Sequence, residues 1–130
     1  MSELRQVPVD GTPKVLLSPR EFQAGAARLA AGTGPFAIDT ERASAYRFDD
    51  RAFLVQIRRE GAGTLLFAPE NRRHELSSAL APVLNGQDWV VHAAPSDLPC
   101  LAWLGLHPGT LFDTELAARF AGFAHPNLGA

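Results

Sequence analysis

Pro35-Phe36-Ala37-Ile38-Asp39-Thr40-Glu41 is a short apolar run that ends in acids, a pattern that predicts a buried strand whose carboxyl end meets solvent. Residues two apart on a strand point to the same face with Cα atoms roughly 6.5 Å apart, so Asp39 and Glu41 stand side by side beyond the apolar segment. Two carboxylates so placed repel, and one takes up a proton unless a cation sits between them. A hard divalent cation with oxygen ligands answers that arrangement. A pair of exposed strand-end charges is the plainer alternative.

On the N-terminal side, Ser18-Pro19-Arg20-Glu21 reads as an N-cap, a proline at the first helical position and an acid three residues after the cap. The helix runs to about Ala31 with Phe22, Ala26, Leu29 and Ala30 on one face, and Gly32-Thr33-Gly34 stops it. Residues 1–14, with two prolines and a glycine, read as a loose leader. On the C-terminal side, residues 42–51 form a polar connection to a second strand, Phe53-Leu54-Val55-Gln56-Ile57-Arg58. Gly61-Ala62-Gly63 then turns the chain into a third strand over residues 64–68, which predicts an antiparallel hairpin. Residues 69–84 are helical by pattern, 89–93 a buried strand, 98–106 a helix, 110–113 a short strand and 114–123 a helix. That order implies an α/β mixed sheet in one domain, with no internal repeat.

Composition sets the class. The 130 residues are 46% hydrophobic and 20% charged, which is globular rather than disordered or fibrous. No apolar run approaches the roughly 18–20 residues of a membrane span, and the first residues lack the apolar stretch of a signal peptide. One cysteine, Cys100, excludes an internal disulfide, and no Cys/His cluster has zinc spacing. A cytoplasmic protein with no membrane partner is therefore expected. The net charge of −2 hides an uneven spread: residues 42–73 hold seven arginines against four acids, whereas residues 74–130 hold one arginine against five acids. A basic middle beside acidic flanks fits a nucleic-acid binder that also holds metal, and compositional drift towards arginine fits it too.

A second constellation follows the strand at 89–93. His92-Ala93-Ala94-Pro95-Ser96-Asp97-Leu98 carries the chain through a short turn and presents Asp97 at the start of a helix. Sites in open α/β sheets gather at the carboxyl ends of strands, so Asp97 reaches the place where Asp39 and Glu41 meet; a first-turn acid that complements the helix dipole is the alternative. His92 reads as a strand-end hydrogen-bonder or a base. Cys100 and Trp103 read as core residues, and Asp113 as a cap for the helix after it.

Together these pieces resemble the ribonuclease D branch of the DEDD 3′–5′ exonucleases. Residues 36–41 look like that family's first motif, Leu54-Val55-Gln56-Ile57 like its second strand, and residues 92–98 like its second motif in the ribonuclease D form. Phe112-Asp113-Thr114-Glu115-Leu116-Ala117-Ala118 looks like the stretch that follows. The order of the motifs and their roughly 55-residue separation carry the match, which covers about residues 15–128. The resemblance implies an RNase H-like mixed sheet with flanking helices and an antiparallel second strand. It also implies two Mg²⁺ or Mn²⁺ ions. Carried over, Asp39 bridges both ions, Glu41 binds one and orients the attacking water, and Asp97 holds the second. Thr40 and His92 then contact substrate.

The implied activity is two-metal 3′–5′ exoribonuclease action on single-stranded RNA 3′ ends, tRNA precursors and other stable RNAs among them. Proofreading relatives often carry Asn four residues before the second-motif acid; Ala93 stands there, which favours RNA over DNA. The alternatives are a DNA proofreading-type exonuclease and a catalytically inactive module that binds nucleic acid. The family's third motif pairs a tyrosine with a fourth acid on a late helix, whereas the one tyrosine, Tyr46, precedes the second motif. Residues 15–130 are therefore expected to be an incomplete exonuclease domain, truncated before its last helices. The family's C-terminal helical RNA-binding domains are expected in the full-length protein, and the chain by itself is expected to be inactive.

Overall fold

Ser18 opens the first helix as its sequence demands. In the computed structural model, which describes residues 13–42, 53–69, 71–92 and 94–114, the Ser18 hydroxyl accepts from the Glu21 amide (3.2 Å) and Glu21 Oε1 accepts from the Ser18 amide (3.1 Å). The helix, α1 (Pro19–Ala30), buries Phe22, Gly25, Ala26 and Leu29. Ala30, expected on that face, is exposed. Gly25 matters because a Cβ there would lie 2.9 Å from both Leu16 Cδ1 and Phe67 Cε2. Its missing side chain brings α1 down onto the sheet.

Six strands follow the order β1-β4-β3-β2-β5-β6. They are β1 (Val15–Leu16), β2 (Thr33–Arg42), β3 (Phe53–Glu60), β4 (Gly63–Phe67), β5 (Asp88–Val91) and β6 (Thr110–Asp113). β3 runs antiparallel to both neighbours, while β1 with β4, β2 with β5 and β5 with β6 pair in parallel. With the helices α1, α2 (Arg73–Leu84) and α3 (Ala94–Trp103), this is an RNase H-like mixed α/β sheet. The hairpin between β3 and β4 forms where it is expected, since Gly61 (φ 88) and Gly63 (φ 81) take backbone angles that L side chains resist.

Several boundaries differ from the sequence reading. β1 is only two residues long, too short for a periodic signal, and exists because β4 offers it an edge. β2 starts at Thr33 rather than Pro35, with a register irregularity between Thr33 and Ala37 that accommodates Gly34 (φ 82) and Pro35. α2 starts at Arg73 rather than Pro69, because Asn71 (φ 66) breaks the helical run before it. α3 starts at Ala94, four residues earlier than expected; Pro95 falls in its first turn, where no amide is needed. The expected leader before residue 13, the connection at 43–52 and the expected helix beyond Thr114 lie outside the described residues.

The two sheet faces differ. Phe36 and Ile38 of β2, Val55 and Ile57 of β3, and Phe67 of β4 cluster with Phe22, Leu29, Leu76, Leu80 and Leu84 of the helices. Trp89 joins that core, its indole N–H satisfied by the Leu84 carbonyl at 2.9 Å. The alternate residues Ala37, Asp39 and Glu41 are exposed, as is Arg58, which stands opposite Ala37. Phe112, opposite Val90, is 57% exposed.

Candidate active site

β2 outruns its parallel neighbour. Its last pair with β5 is Ala37 with Val90, whereas its ladder with β3 continues to Arg42 with Phe53. Asp39, Thr40 and Glu41 therefore overhang the carboxyl end of β5, the crevice in which open α/β sheets build their sites. The chain leaving β5 turns through His92 directly into α3. The first turn of α3 carries Asp97 to the overhang, where Asp97 Oδ1 accepts from the Thr40 hydroxyl at 2.6 Å.

Period-two alternation sorts the rim. Thr40 is half-buried on the core side with Phe36 and Ile38, while Asp39 and Glu41 are exposed on the open side. Asp97 reaches the rim from the core side and is 5% exposed. Thr40, expected to touch substrate, thus has its hydroxyl committed to an acid of the site. The sequence offered one signal for this, since Thr40 must point away from both flanking carboxylates.

Asp97 is the electrostatically unusual group. Its Oδ2 is buried and finds no hydrogen-bond partner among the described residues. Burial pushes its carboxyl above the usual carboxylate range; the Thr40 hydroxyl opposes that shift, and the negative charges of Asp39 and Asp113 add to it. Asp39 is the neighbour that the sequence leads one to expect there, whereas Asp113, read as a helix cap, is not. Asp113 reaches the site because β6 lies parallel to β5, with Asp113 opposite Val91.

Between β2 and β5 the open face holds a groove of about 350 Å³, lined by Asp39, Gln56, Arg58, Val90, His92 and Thr114 among others. His92 is exposed there, its Nδ1 2.9 Å from the Thr114 hydroxyl. Among the described residues, the arginines of the basic middle do not form one face. Arg59 is structural: Nη1 donates to Leu29 O and Nε to Gly34 O, both at 2.8 Å, and the guanidinium lies 4.1 Å over the Phe36 ring. Arg73 donates to Trp103 O at 2.7 Å and covers that indole. Among the described arginines, Arg58 shares the groove with Asp39. Tyr46, Arg47 and Arg51 lie outside the described residues.

The donors suit a hard cation. The orphaned carboxylate oxygen on Asp97 and the negative charge of Asp39 beside it are oxygen donors of the kind a hard divalent cation takes. Glu41 projects from the same strand face as Asp39, two residues on. Among the described residues, no three of His, Cys, Asp and Glu are grouped so as to hold an ion.

The pattern of the family described as 3′–5′ exonuclease matches residues 17–129 of the chain. The chain is also similar to a protein from Bifidobacterium adolescentis of known crystal structure, with 34% identity and a TM-score of 0.74. That match covers 89% of this chain and 28% of the Bifidobacterium chain. No curated protein matches it.

Proposed function

The chain belongs to the 3′–5′ exonuclease family, and from that premise we propose that it serves a ribonuclease D-type exoribonuclease, which removes nucleotides from RNA 3′ ends with two Mg²⁺ or Mn²⁺ ions. A DEDD exonuclease domain acts on nucleic acid; the choice of RNA, stable RNAs such as tRNA precursors included, is the finer reading. It rests on the second motif, His92-Ala93-Ala94-Pro95-Ser96-Asp97, which has alanine where proofreading relatives often carry Asn.

The observation that carries the metal-dependent chemistry is the buried, unpartnered Oδ2 of Asp97. Asp39, Glu41 and Asp97 are the residues that would hold the ions. When bound, the ions supply a more acidic attacking water and charge stabilisation at the leaving 3′ oxygen. The protein's own part is positional. Thr40 fixes the Asp97 carboxylate so that one oxygen is spent on the hydroxyl and the other stays available. Glu41 orients the water from the open face, and His92, at the lip of the groove, contacts the terminal nucleotide. No tyrosine follows Asp97 in these 130 residues, so the family's third motif is not supplied by them.

The test is 3′ trimming of 5′-labelled RNA and DNA of one sequence, by protein from the full reading frame, with Mg²⁺ or Mn²⁺. Stepwise shortening of RNA, abolished by chelator and by Asp39→Ala, is expected. Trimming of DNA alone would replace this reading with a proofreading one. Binding without trimming in either metal would leave an inactive nucleic-acid-binding module.

A further inference from the structure

A second groove, of about 380 Å³, opens at the β3–β4 hairpin and is lined by Arg28, Arg58, Arg59, Glu60 and the turn residues Gly61 to Gly63. Glu60 pairs with Thr33 at the start of β2, so this groove lies at the end of the sheet away from Asp39 and Glu41. We infer that it is a phosphate site that holds the backbone of the nucleic-acid strand upstream of its 3′ end. The inference rests on the exonuclease reading and names a part of the substrate track.

Three arginines line one groove against a single carboxylate, in a chain whose net charge is −2. Among the described residues none of the three arginines forms an ion pair; the pair found there, Lys14 with Glu21, lies at the start of α1. The positive charge at the hairpin is thus not neutralised by an ion pair among the described residues. Arg59 is also pre-organised, since two of its nitrogens are fixed on the Leu29 and Gly34 carbonyls and Phe36 supports its plane. A guanidinium already held in place binds an anion with little further loss of side-chain freedom. Arg28 joins from the last turn of α1, and Arg58 is steadied by the Thr64 hydroxyl at 2.6 Å.

Continuity with the site separates a strand from a small anion. Arg58 lines this groove and also the one that contains Asp39, Gln56 and His92. Gln56 stands opposite Asp39, and from Gln56 to Glu60 the strand advances roughly 13 Å at about 3.3 Å per residue. A single strand with its 3′ end at the Asp39 rim passes Arg58 and sets an upstream phosphate among Arg28, Arg58 and Arg59. Guanidinium forks match phosphate oxygens bidentately, which gives the track grip without base preference.

The experiment is fluorescence-anisotropy binding of labelled single-stranded RNA, three and twelve nucleotides long, in EDTA so that no cleavage occurs. Wild type, Arg28→Gln and Arg58→Gln are titrated at several salt concentrations, with inorganic phosphate and a mononucleotide as competitors. Arg59 is spared because its loss would free two backbone carbonyls. For the twelve-mer, each variant is expected to bind several-fold more weakly at low salt, with the log–log salt slope shallower by about 0.7 per arginine. For the three-mer, Arg28→Gln should change nothing. Equal losses at both lengths for Arg28→Gln, or displacement of the twelve-mer by inorganic phosphate at millimolar concentration, would make this a small-anion pocket and overturn the strand reading. Unchanged twelve-mer binding in both variants overturns the site while leaving the exonuclease reading intact. Wild type that binds neither RNA in EDTA overturns the phosphate site, while the metal-dependent trimming assay decides the exonuclease reading on its own.

Discussion

The Thr40 hydroxyl donates to Asp97 Oδ1 over 2.6 Å, joining residues 57 positions apart in the chain. The bond fixes α3 to the overhang of β2 and leaves the other carboxylate oxygen of Asp97 without a partner among the described residues. Thr40→Val keeps the shape but strands both oxygens of a buried acid, so it should destabilise the fold by about 1–3 kcal/mol in urea denaturation. Thr40→Ser should recover most of that loss. Equal stability of the valine and serine variants would show that the hydroxyl does not hold Asp97.

The raised pKa of Asp97 predicts a pH dependence of a definite sign. The folded chain holds this proton more tightly than the unfolded chain, whose carboxyl titrates near the ordinary value of 3.8. Asp97 therefore favours folding when protonated, and the benefit is lost as pH rises from about 3.8 through the folded pKa. Without divalent ions, the stability of wild type relative to Asp97→Asn should fall as pH rises above about 4. Denaturant midpoints of the two proteins that stay in parallel from pH 3 to 8 would contradict this.

Glu21 behaves in the opposite sense. Its carboxyl is held at about 2, chiefly by the Leu17 amide, with Lys14 and the Ser18 amide adding to the effect. A depressed folded pKa contributes stability above the ordinary value of 4.5 and loses it as pH falls towards 2. The advantage of wild type over Glu21→Gln should shrink across that window in thermal melts. Ser18→Ala, which removes the other half of the capping box, should cost about 1 kcal/mol at neutral pH.

Legibility tracked the range of the interaction. The capping box at Ser18 and the Gly61-Ala62-Gly63 turn are local devices, and both are where the sequence puts them. Period-two alternation was enough to place Asp39 and Glu41 on one strand face. By contrast, β1 is two residues long, and the partner of Thr40 depends on how far β5 extends beside β2. The arginines of residues 42–73 read as one patch by charge count, yet Arg59 and Arg73 spend nitrogens on backbone carbonyls. No run of composition reveals which guanidinium groups are already occupied.

Gly25 sets two effects against each other. Gly→Ala inside a helix gains about 0.5–1 kcal/mol from backbone entropy. Here the added methyl meets Leu16 and Phe67 at 2.9 Å, and overpacking of that kind costs about 1–3 kcal/mol. Gly25→Ala should therefore be net destabilising by about 1 kcal/mol in chemical denaturation. A stabilised variant would show that α1 can ride up off the sheet at no expense.

The meander of β2, β3 and β4 has a consequence for the time course of folding. These strands are sequence neighbours and pair across short separations, whereas β5 must return to β2 after α2 has intervened. Closing that longer loop adds about 1 kcal/mol of chain entropy, so the meander is predicted to be the earlier structure and the docking of α3 onto Thr40 the later one. Asp39 and Asp97, whose charges oppose each other, are then brought together only after the rate-limiting contacts have formed. Substitutions at Asp97 should consequently move the unfolding limb of the chevron and leave the folding limb in place. The repulsion built into the site slows no refolding; it sets how long the assembled site survives.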